Sequence, residues 1–418
     1  MTEPIGRPPR KDPQKRTQSP TLPPEMRSRA SLGLSAAAAE GRFMLQCCEQ
    51  CSHWQYPPRD ACASCLSTEL AWRDISPDGQ LIAETTVQTS TNVYFRERMP
   101  WRTGTVQLDA GPVLICHVHG DCQRNSRVRI DNRLDRSGQG VLIAMPTENT
   151  SDMQDDLQLR QMTSHPKHRR ILITDARAPS TPALANALLN AGASTVFIGE
   201  AESWLHYSQR ALLEAIPNVE LLPLDVTDTR SVQTLAGEIG GKTDILINNA
   251  RFMRAGGVLD RGDVNFAQTE MQTNYFGFMR LAQAFSPGMC ARASDGVNSA
   301  VAWVNILSVH ALSNTPDYGC FSASHSAAHS LSQCLRAEFR RSGVRLCNVF
   351  TGPTDDDWYQ TLPPPKVTQE SLAKAIVNGL IEGLEDVYCG DVAKDLAERF
   401  KAGPKVLERE LTMSRGEA

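Results

Sequence analysis

The chain has 418 residues, 43 basic and 47 acidic side chains and a net charge of −4, enough for two or three domains with real cores but no general electrostatic drive towards nucleic acid or membrane. No apolar run reaches the length of a membrane span and the first residues lack a signal-peptide core, so a cytoplasmic protein is expected. Twelve cysteines in such a chain read as thiols or metal ligands rather than as a disulfide framework.

Residues 1–40 are Pro-rich and carry Arg7, Arg10, Lys11, Lys15, Arg16, Arg27 and Arg29 with few large apolar side chains. They are expected to form a disordered basic tail, because they cannot bury enough surface to offset ordering. Residues 41–70 hold two Cys-x-x-Cys knuckles, Cys48 with Cys51 and Cys62 with Cys65, separated by ten residues. Each knuckle turns two thiolates to one point, and together they supply a tetrahedral sulfur site suited to structural zinc, with no position left open for a substrate.

Residues 71–147 contain five short apolar runs, Leu81–Val87, Trp101–Leu108, Pro112–Val118, Ser126–Ile130 and Val141–Ala144, split by Gly-containing turns. That pattern predicts an all-β barrel of the OB type. Its strands are poor in aromatic residues, which speaks against the stacking platform of a single-strand nucleic-acid binder. The polar stretch 148–167 reads as a linker.

From 168 to 412 the pattern changes to alternating apolar strands and amphipathic helices. Arg170–Thr174, a helical run over Pro182–Ala191 and Thr195–Ile198 make an opening βαβ unit, and the segments after it predict a doubly wound, Rossmann-like parallel sheet. The fold class expected for the whole chain is therefore α/β, preceded by a small zinc ribbon and an OB-fold barrel. Asp355, Asp356 and Asp357 are read as a solvated loop rather than a metal site, since three consecutive carboxylates do not converge.

Two resemblances attach to these residues. Phe43 to about Pro146, with its paired knuckles, Tyr56-Pro-Pro-Arg59 and Ser76-Pro-Asp-Gly79, resembles the rubredoxin-like zinc ribbon plus OB-fold family associated with acyl-CoA chemistry. That resemblance implies a thiolase-like partner enzyme and an acyl-CoA ligand. The second half resembles the short-chain dehydrogenase/reductase family through Ser308, Asn274, Asn248-Asn249-Ala250, Asp225 and the Thr351-Gly352-Pro353 turn. It implies a catalytic Ser at Ser308, a helix Asn at Asn274, and cofactor contacts at Asp225, Asn249 and Glu200, the last favouring NAD over NADP.

The family's chemistry is nonetheless depleted. Phe321 stands where the family has its catalytic Tyr, and His325 where it has Lys. A Phe can neither give nor accept a proton, and the loss of acid–base catalysis corresponds to roughly 100- to 10,000-fold in rate. Tyr318 and His325 are the candidate substitutes, though no Lys lies between Lys242 and Lys366 to activate Tyr318. Asp175, Pro179 and Thr181 replace the three glycines of the phosphate-binding turn, and Arg251 replaces the Gly after Asn-Asn-Ala. Glycines there let the backbone approach the pyrophosphate, so NAD(P) binding is disfavoured. The expectation is a non-redox accessory protein, a pseudo-oxidoreductase by fold, that binds acyl-CoA or docks a thiolase-like acyltransferase or aldolase. The alternative is an NAD(P)-dependent reductase of a ketoacyl-type substrate. Ala323, Ala327 and Leu331 at helical spacing are compatible with a homodimer.

Overall fold

The computed structural model describes residues 2–9, 18–25, 27–360 and 362–413. Two compact units divide the chain, the first built on Ser19–His165 and the second on Pro166–Ile381 with the chain from Asp386 onward.

In the first unit, α1 (Leu32–Ala39) precedes a three-stranded antiparallel sheet of order β2-β1-β3, made by β1 (Met44–Cys48), β2 (Trp54–Gln55) and β3 (Leu70–Asp74). A closed barrel follows, formed by β4 (Asp78–Val87), β5 (Trp101–Leu108), β6 (Val113–Val118), β7 (Arg127–Leu134) and β8 (Gly140–Pro146), with the short α2 (Val93–Arg96) between β4 and β5. Its order is β4-β5-β6-β8-β7, and β7 closes on β4 through Asp78 opposite Arg129. The alternating strands put Leu81, Val106, Leu108, Leu114, Val118, Val128 and Ile130 inside, each contributing roughly 1.5–3 kcal/mol by leaving water. Gly104 is needed on β5, because a Cβ there would sit 2.7 Å from Leu81 and 2.8 Å from Val118.

Two expectations are corrected here. The tail does not run unstructured to Glu40: Leu32–Ala39 is helical, Leu34, Ala37 and Ala38 are buried, and the Asn132 amide donates to the Leu34 carbonyl at 3.0 Å. The Ala-rich end of the segment supplies both helix propensity and an apolar face; residues 10–17 of the predicted tail lie outside the described residues. The predicted linker is also ordered. It forms two turns, Met153–Asp155 and Leu159–Met162, that bury Leu159 and Met162 against Trp101, Ile143 and Met145. Its polar side chains are used on backbone, with Gln158 accepting from the Arg102 N–H and donating to the Arg102 carbonyl, both at 2.9 Å.

The second unit is a seven-stranded parallel sheet of β9 (Arg170–Ile173), β10 (Thr195–Glu200), β11 (Val219–Pro223), β12 (Ile245–Asn248), β13 (Ala302–Ser308), β14 (Arg345–Thr351) and β15 (Asp386–Cys389), in the order β11-β10-β9-β12-β13-β14-β15. The order reverses between β9 and β12, which opens a crevice at the strands' carboxyl ends. One face is covered by α3 (Thr181–Asn190), α4 (Arg210–Glu214) and α9 (Gln369–Glu382). The other carries α5 (Thr229–Ile239), α7 (Phe278–Arg292) and α8 (Gly319–Phe339). Helix α5 is typical of why these residues are helical: Asp228 caps its N–H groups at Arg230 and Ser231, and Val232, Leu235 and Ile239 form one buried stripe. Helix α6 (Asn265–Met271) runs through a π-helical turn, Gln272–Gly277, into α7, and α10 (Asp391–Ala402) and α11 (Pro404–Met413) end the described chain.

Candidate functional site

The first site is the thiol cluster of the ribbon. The Sγ atoms of Cys48, Cys51, Cys62 and Cys65 lie within 4.8 Å of one another, with Cys48 and Cys65 at 3.6 Å and Cys51 and Cys62 at 3.6 Å. The two knuckles are built alike. In each, the residue after the second cysteine is left-handed, Ser52 at φ 57° and Leu66 at φ 63°. Its N–H donates back to the first cysteine's carbonyl, at 2.9 Å and 3.1 Å. Leu66 holds that conformation although a branched apolar residue seldom does, so the turn is set by closure of the knuckle. The N–H groups of Cys65 and Ser64 bring the Cys62 thiol down to about 6, and the N–H of Cys51 lowers Cys48. Four converging thiols at these separations fit zinc, which when bound would cross-link the two knuckles as a tetrathiolate. Among the described residues no other cluster of three or more such ligands occurs.

The second site is the crevice above β9, β12, β13 and β14, and here the predicted residues are brought together but bonded to the protein itself. At the phosphate-binding turn, Thr181 is fully buried and its hydroxyl donates to the Asp175 carbonyl at 2.6 Å. Asn249 accepts from the Asp175 N–H at 2.8 Å and donates to the Asp175 carbonyl and the Thr181 hydroxyl. Burial pushes the Asp175 carboxyl above its usual range. At the adenosine end, Glu200 accepts from the Tyr207 hydroxyl at 2.6 Å and lies 3.4 Å from Arg210. Arg177 reaches Glu202 at 3.0 Å and lies over the Tyr207 ring. Asp225 is turned onto its own loop, accepting from the Thr227 N–H and hydroxyl.

At the reacting end, His325 is buried and its Nδ1 accepts from the Ser308 N–H at 3.1 Å. That bond leaves the proton of the neutral ring on Nε2. Burial, helped by Arg251 and His310, takes its pKa down to about 3, so it is not the near-neutral acid or base that its residue type suggested. Tyr318 is buried just before α8, packed by Phe321 and Tyr359 and stacked on His310. The Ser308 hydroxyl accepts from the His310 N–H at 3.2 Å and lies in hydrogen-bonding reach of Tyr359. Asn274 keeps its place in the π-turn, yet its amide is saturated by both backbone groups of Phe252 and by Ser324.

Sequence reasoning missed the part played by three residues. Arg251 pairs with Asp356 at 2.6 Å, contacts Thr354 and lies over Tyr359. The Asp356 side chain is 2% exposed, so the middle carboxylate of the Asp triplet faces inward, against the expectation of a wholly solvated loop, while Asp355 and Asp357 are exposed. The Arg at the Gly position was the one available signal. Tyr359, at 2% exposure beside Ser308, had none.

A doubly wound dinucleotide-type sheet with a Ser, an Asn and an α8 in these places is the architecture of an oxidoreductase body, here joined to a zinc-ribbon and barrel module. Residues 169–366 match the short chain dehydrogenase family, 35–71 the ChsH2 rubredoxin-like zinc ribbon domain and 72–139 the ChsH2 C-terminal OB-fold domain. The chain belongs to the short-chain dehydrogenase/reductase family, as a motif-depleted member with that acyl-CoA-associated module at its N-terminal side. A short chain dehydrogenase from Burkholderia cenocepacia J2315, solved in complex with NADP, has a TM-score of 0.52 at 30% identity, covering 58% of this chain and 97% of that one. Dehydrogenase/reductase SDR family member 7C of Xenopus tropicalis is 28% identical over 251 residues, 57% of this chain and 78% of that protein. A fatty acyl-CoA reductase of Acinetobacter baylyi is 27% identical over 189 residues, 44% of this chain and 62% of that protein. The chain spans about 60% of the length of several of the curated relatives it matches. Among the described residues no helix is long and apolar enough to cross a membrane.

Proposed function

We propose that the chain is a non-redox accessory protein of acyl-CoA metabolism. Its ribbon and barrel dock a thiolase-like acyltransferase or aldolase, and its dehydrogenase-like body is a catalytically degenerate scaffold. One observation carries the reading. At its phosphate and adenosine ends and at Arg251 the dinucleotide crevice is answered by the protein's own groups: Tyr207 on Glu200, Thr181 and Asn249 on the Asp175 backbone, Asp356 on Arg251. A pyrophosphate needs free backbone N–H groups and room at that turn. The side chain of Thr181 and the carboxylate of Asp175 supply neither, so the residues present do not fit NAD(P).

The docking half is supported by the outer face of the barrel, where Ile115 is 68% exposed with Val113 and Ile82 also open to solvent. Val113 and Ile115 share β6 while Ile82 lies two strands away on β4, and exposed apolar side chains of that size are a usual mark of a binding surface. A homodimer through α8 belongs to the same proposal. The test is co-purification of the full chain with a thiolase-like enzyme encoded beside it. Recovery as a lone homo-oligomer would count against docking.

A second reading, an NAD(P)-dependent reductase of a ketoacyl-type substrate, is favoured by the NADP complex of the Burkholderia relative and by the acyl-CoA reductase among the curated ones. Calorimetric titration with NADH and NADPH separates the two. Micromolar binding supports the reductase, and silence up to millimolar cofactor supports the scaffold.

A further inference from the structure

In the first unit a cavity of about 510 Å³ lies between the ribbon and the barrel, walled by Trp54, Tyr56 and Arg59 on one side and by Gly111, Pro112 and Val113 on the other. The barrel wall is a strand edge. Strand β8 pairs with β6 only at His117 and Val118, so the stretch of β6 before them has a neighbouring strand on the β5 side alone. In an antiparallel pair, residues whose N–H and C=O face the neighbour alternate with residues whose groups face away. The Leu108 N–H donates to the Pro112 carbonyl at 3.0 Å, and Val106 lies opposite Leu114 and Gly104 opposite Cys116. That register turns Leu114 and Cys116 towards β5, and Val113 and Ile115 direct their N–H and C=O groups away from it. The Tyr56 hydroxyl donates to the Ile115 carbonyl at 3.1 Å and so marks the inner end of the groove. The Val113 N–H and C=O and the Ile115 N–H are left as a short rim with no partner strand.

The charge of the groove is one-sided. Its lining holds Arg59 and His53 but no carboxylate, and Arg59 is exposed and without an ion pair among the described residues. We propose that this groove takes an extended segment of another protein, added as a short strand along Val113 to Ile115, with the pattern apolar-x-apolar flanked by Asp or Glu. The rim calls for an extended chain, which presents N–H and C=O groups at alternate residues along one edge. Residues two apart on that strand lie on one face beside the exposed Val113 and Ile115 side chains, and apolar types there extend the same surface. The unmatched guanidinium selects the acidic flank. A nucleotide-bearing ligand would bring several phosphate charges to one Arg and leave the strand rim unanswered. The inference rests on the reading that this module docks a partner protein, and it names how the partner is held.

The experiment titrates the full-length protein with the peptide acetyl-Glu-Val-Thr-Val-Glu-amide, whose two carboxylates can meet Arg59 whichever way the strand runs. Amide shifts and hydrogen exchange are followed by NMR. Sub-millimolar binding is expected, with slowed exchange at the Val113 and Ile115 amides. The same peptide with Lys at both ends should bind at least about tenfold more weakly. Arg59→Glu, on an exposed side chain, should reverse that preference and leave the thermal unfolding midpoint unchanged. The proposal is overturned if the Glu peptide is silent at millimolar concentration, if it binds without protecting Val113 and Ile115, or if Arg59→Glu leaves the order of the two peptides as it was. It is equally overturned if coenzyme A, and not the peptide, shifts these amides. A thiolase-like partner that still co-purifies with Arg59→Glu, while the peptide is silent, removes the groove and leaves docking standing. Peptide binding by a protein that recovers no such partner does the opposite.

Discussion

The ribbon and the crevice both descend from recognisable spacings, yet they treat their motif side chains in opposite ways. In the ribbon the four cysteines point at one another and what else reaches their sulfurs is backbone N–H, which stabilises a thiolate, so the bonding capacity that a metal needs is left open. In the crevice, Glu200, Asn249, Asn274, Ser308 and His325 stand close to where a working member of the family would need them, but each is bonded to a neighbouring protein group. A motif thus tells which groups are present, and only the bonds they already make tell whether they remain available to a ligand.

The contrast can be broken first at its strongest point. Cys51→Ser, or prolonged chelation, should release zinc and unfold the ribbon, since such sites are worth on the order of 10 kcal/mol at neutral pH. Metal analysis and circular dichroism of the full chain should report loss of zinc together with loss of structure. Retained cooperative unfolding with no metal bound would remove the structural role assigned to these thiols.

Arg251→Gly comes next. It restores the family residue but leaves the Asp356 carboxylate buried without its cation, which should cost about 3–5 kcal/mol in chemical denaturation. Adding Asp356→Ser should recover much of that loss, and an additive double variant would mean the pair is not coupled. Neither variant is expected to gain micromolar NADPH affinity, because Thr181 and Asp175 still fill the turn.

His325 sharpens the comparison through pH. Its folded pKa, about 3, lies below the 6.5 of an unperturbed imidazole. The unfolded chain therefore takes the proton first, and the stability contributed by the neutral ring is complete above about pH 6.5 and falls away as the pH drops towards 3. His325→Leu should flatten the acid limb of the stability profile by up to one proton, whatever its cost at neutral pH. An unchanged slope between pH 7 and pH 4 would mean that the imidazole is not buried neutral. The smallest effect belongs to Arg177→Ala, whose partner Glu202 is half exposed. A change within about 1 kcal/mol is expected, as for surface ion pairs in general.

Most of the architecture was legible because it rests on local pattern. Strand and helix periodicity located the barrel and the doubly wound sheet, and predicted Trp101–Leu108 coincides with β5. Zinc spacing was legible because two knuckles carry their own geometry. What stayed hidden depends on tertiary partners. Leu32–Ala39 is too short and too Ala-rich to announce a buried face by period, and it is fixed by Asn132, about a hundred residues away. Asp356 looks like its two neighbours in sequence and differs only because Arg251 stands opposite. His325 was read by residue type, whereas its environment sets its charge.

Closure of the barrel has a consequence for how a partner can hold this protein. With β8 running parallel to β6 and β7 sealed onto β4, the five strands form an unbroken ring of ladder hydrogen bonds. Closure takes up the strand rim at Asp78–Gln80 of β4 and at His117–Val118 of β6, so a foreign backbone cannot add itself there as a sixth member. If the docking proposal holds, recognition of the barrel should be read from its side chains and from the short rim left on β6, and substitutions at Ile115 and Val113 are the ones that should weaken it.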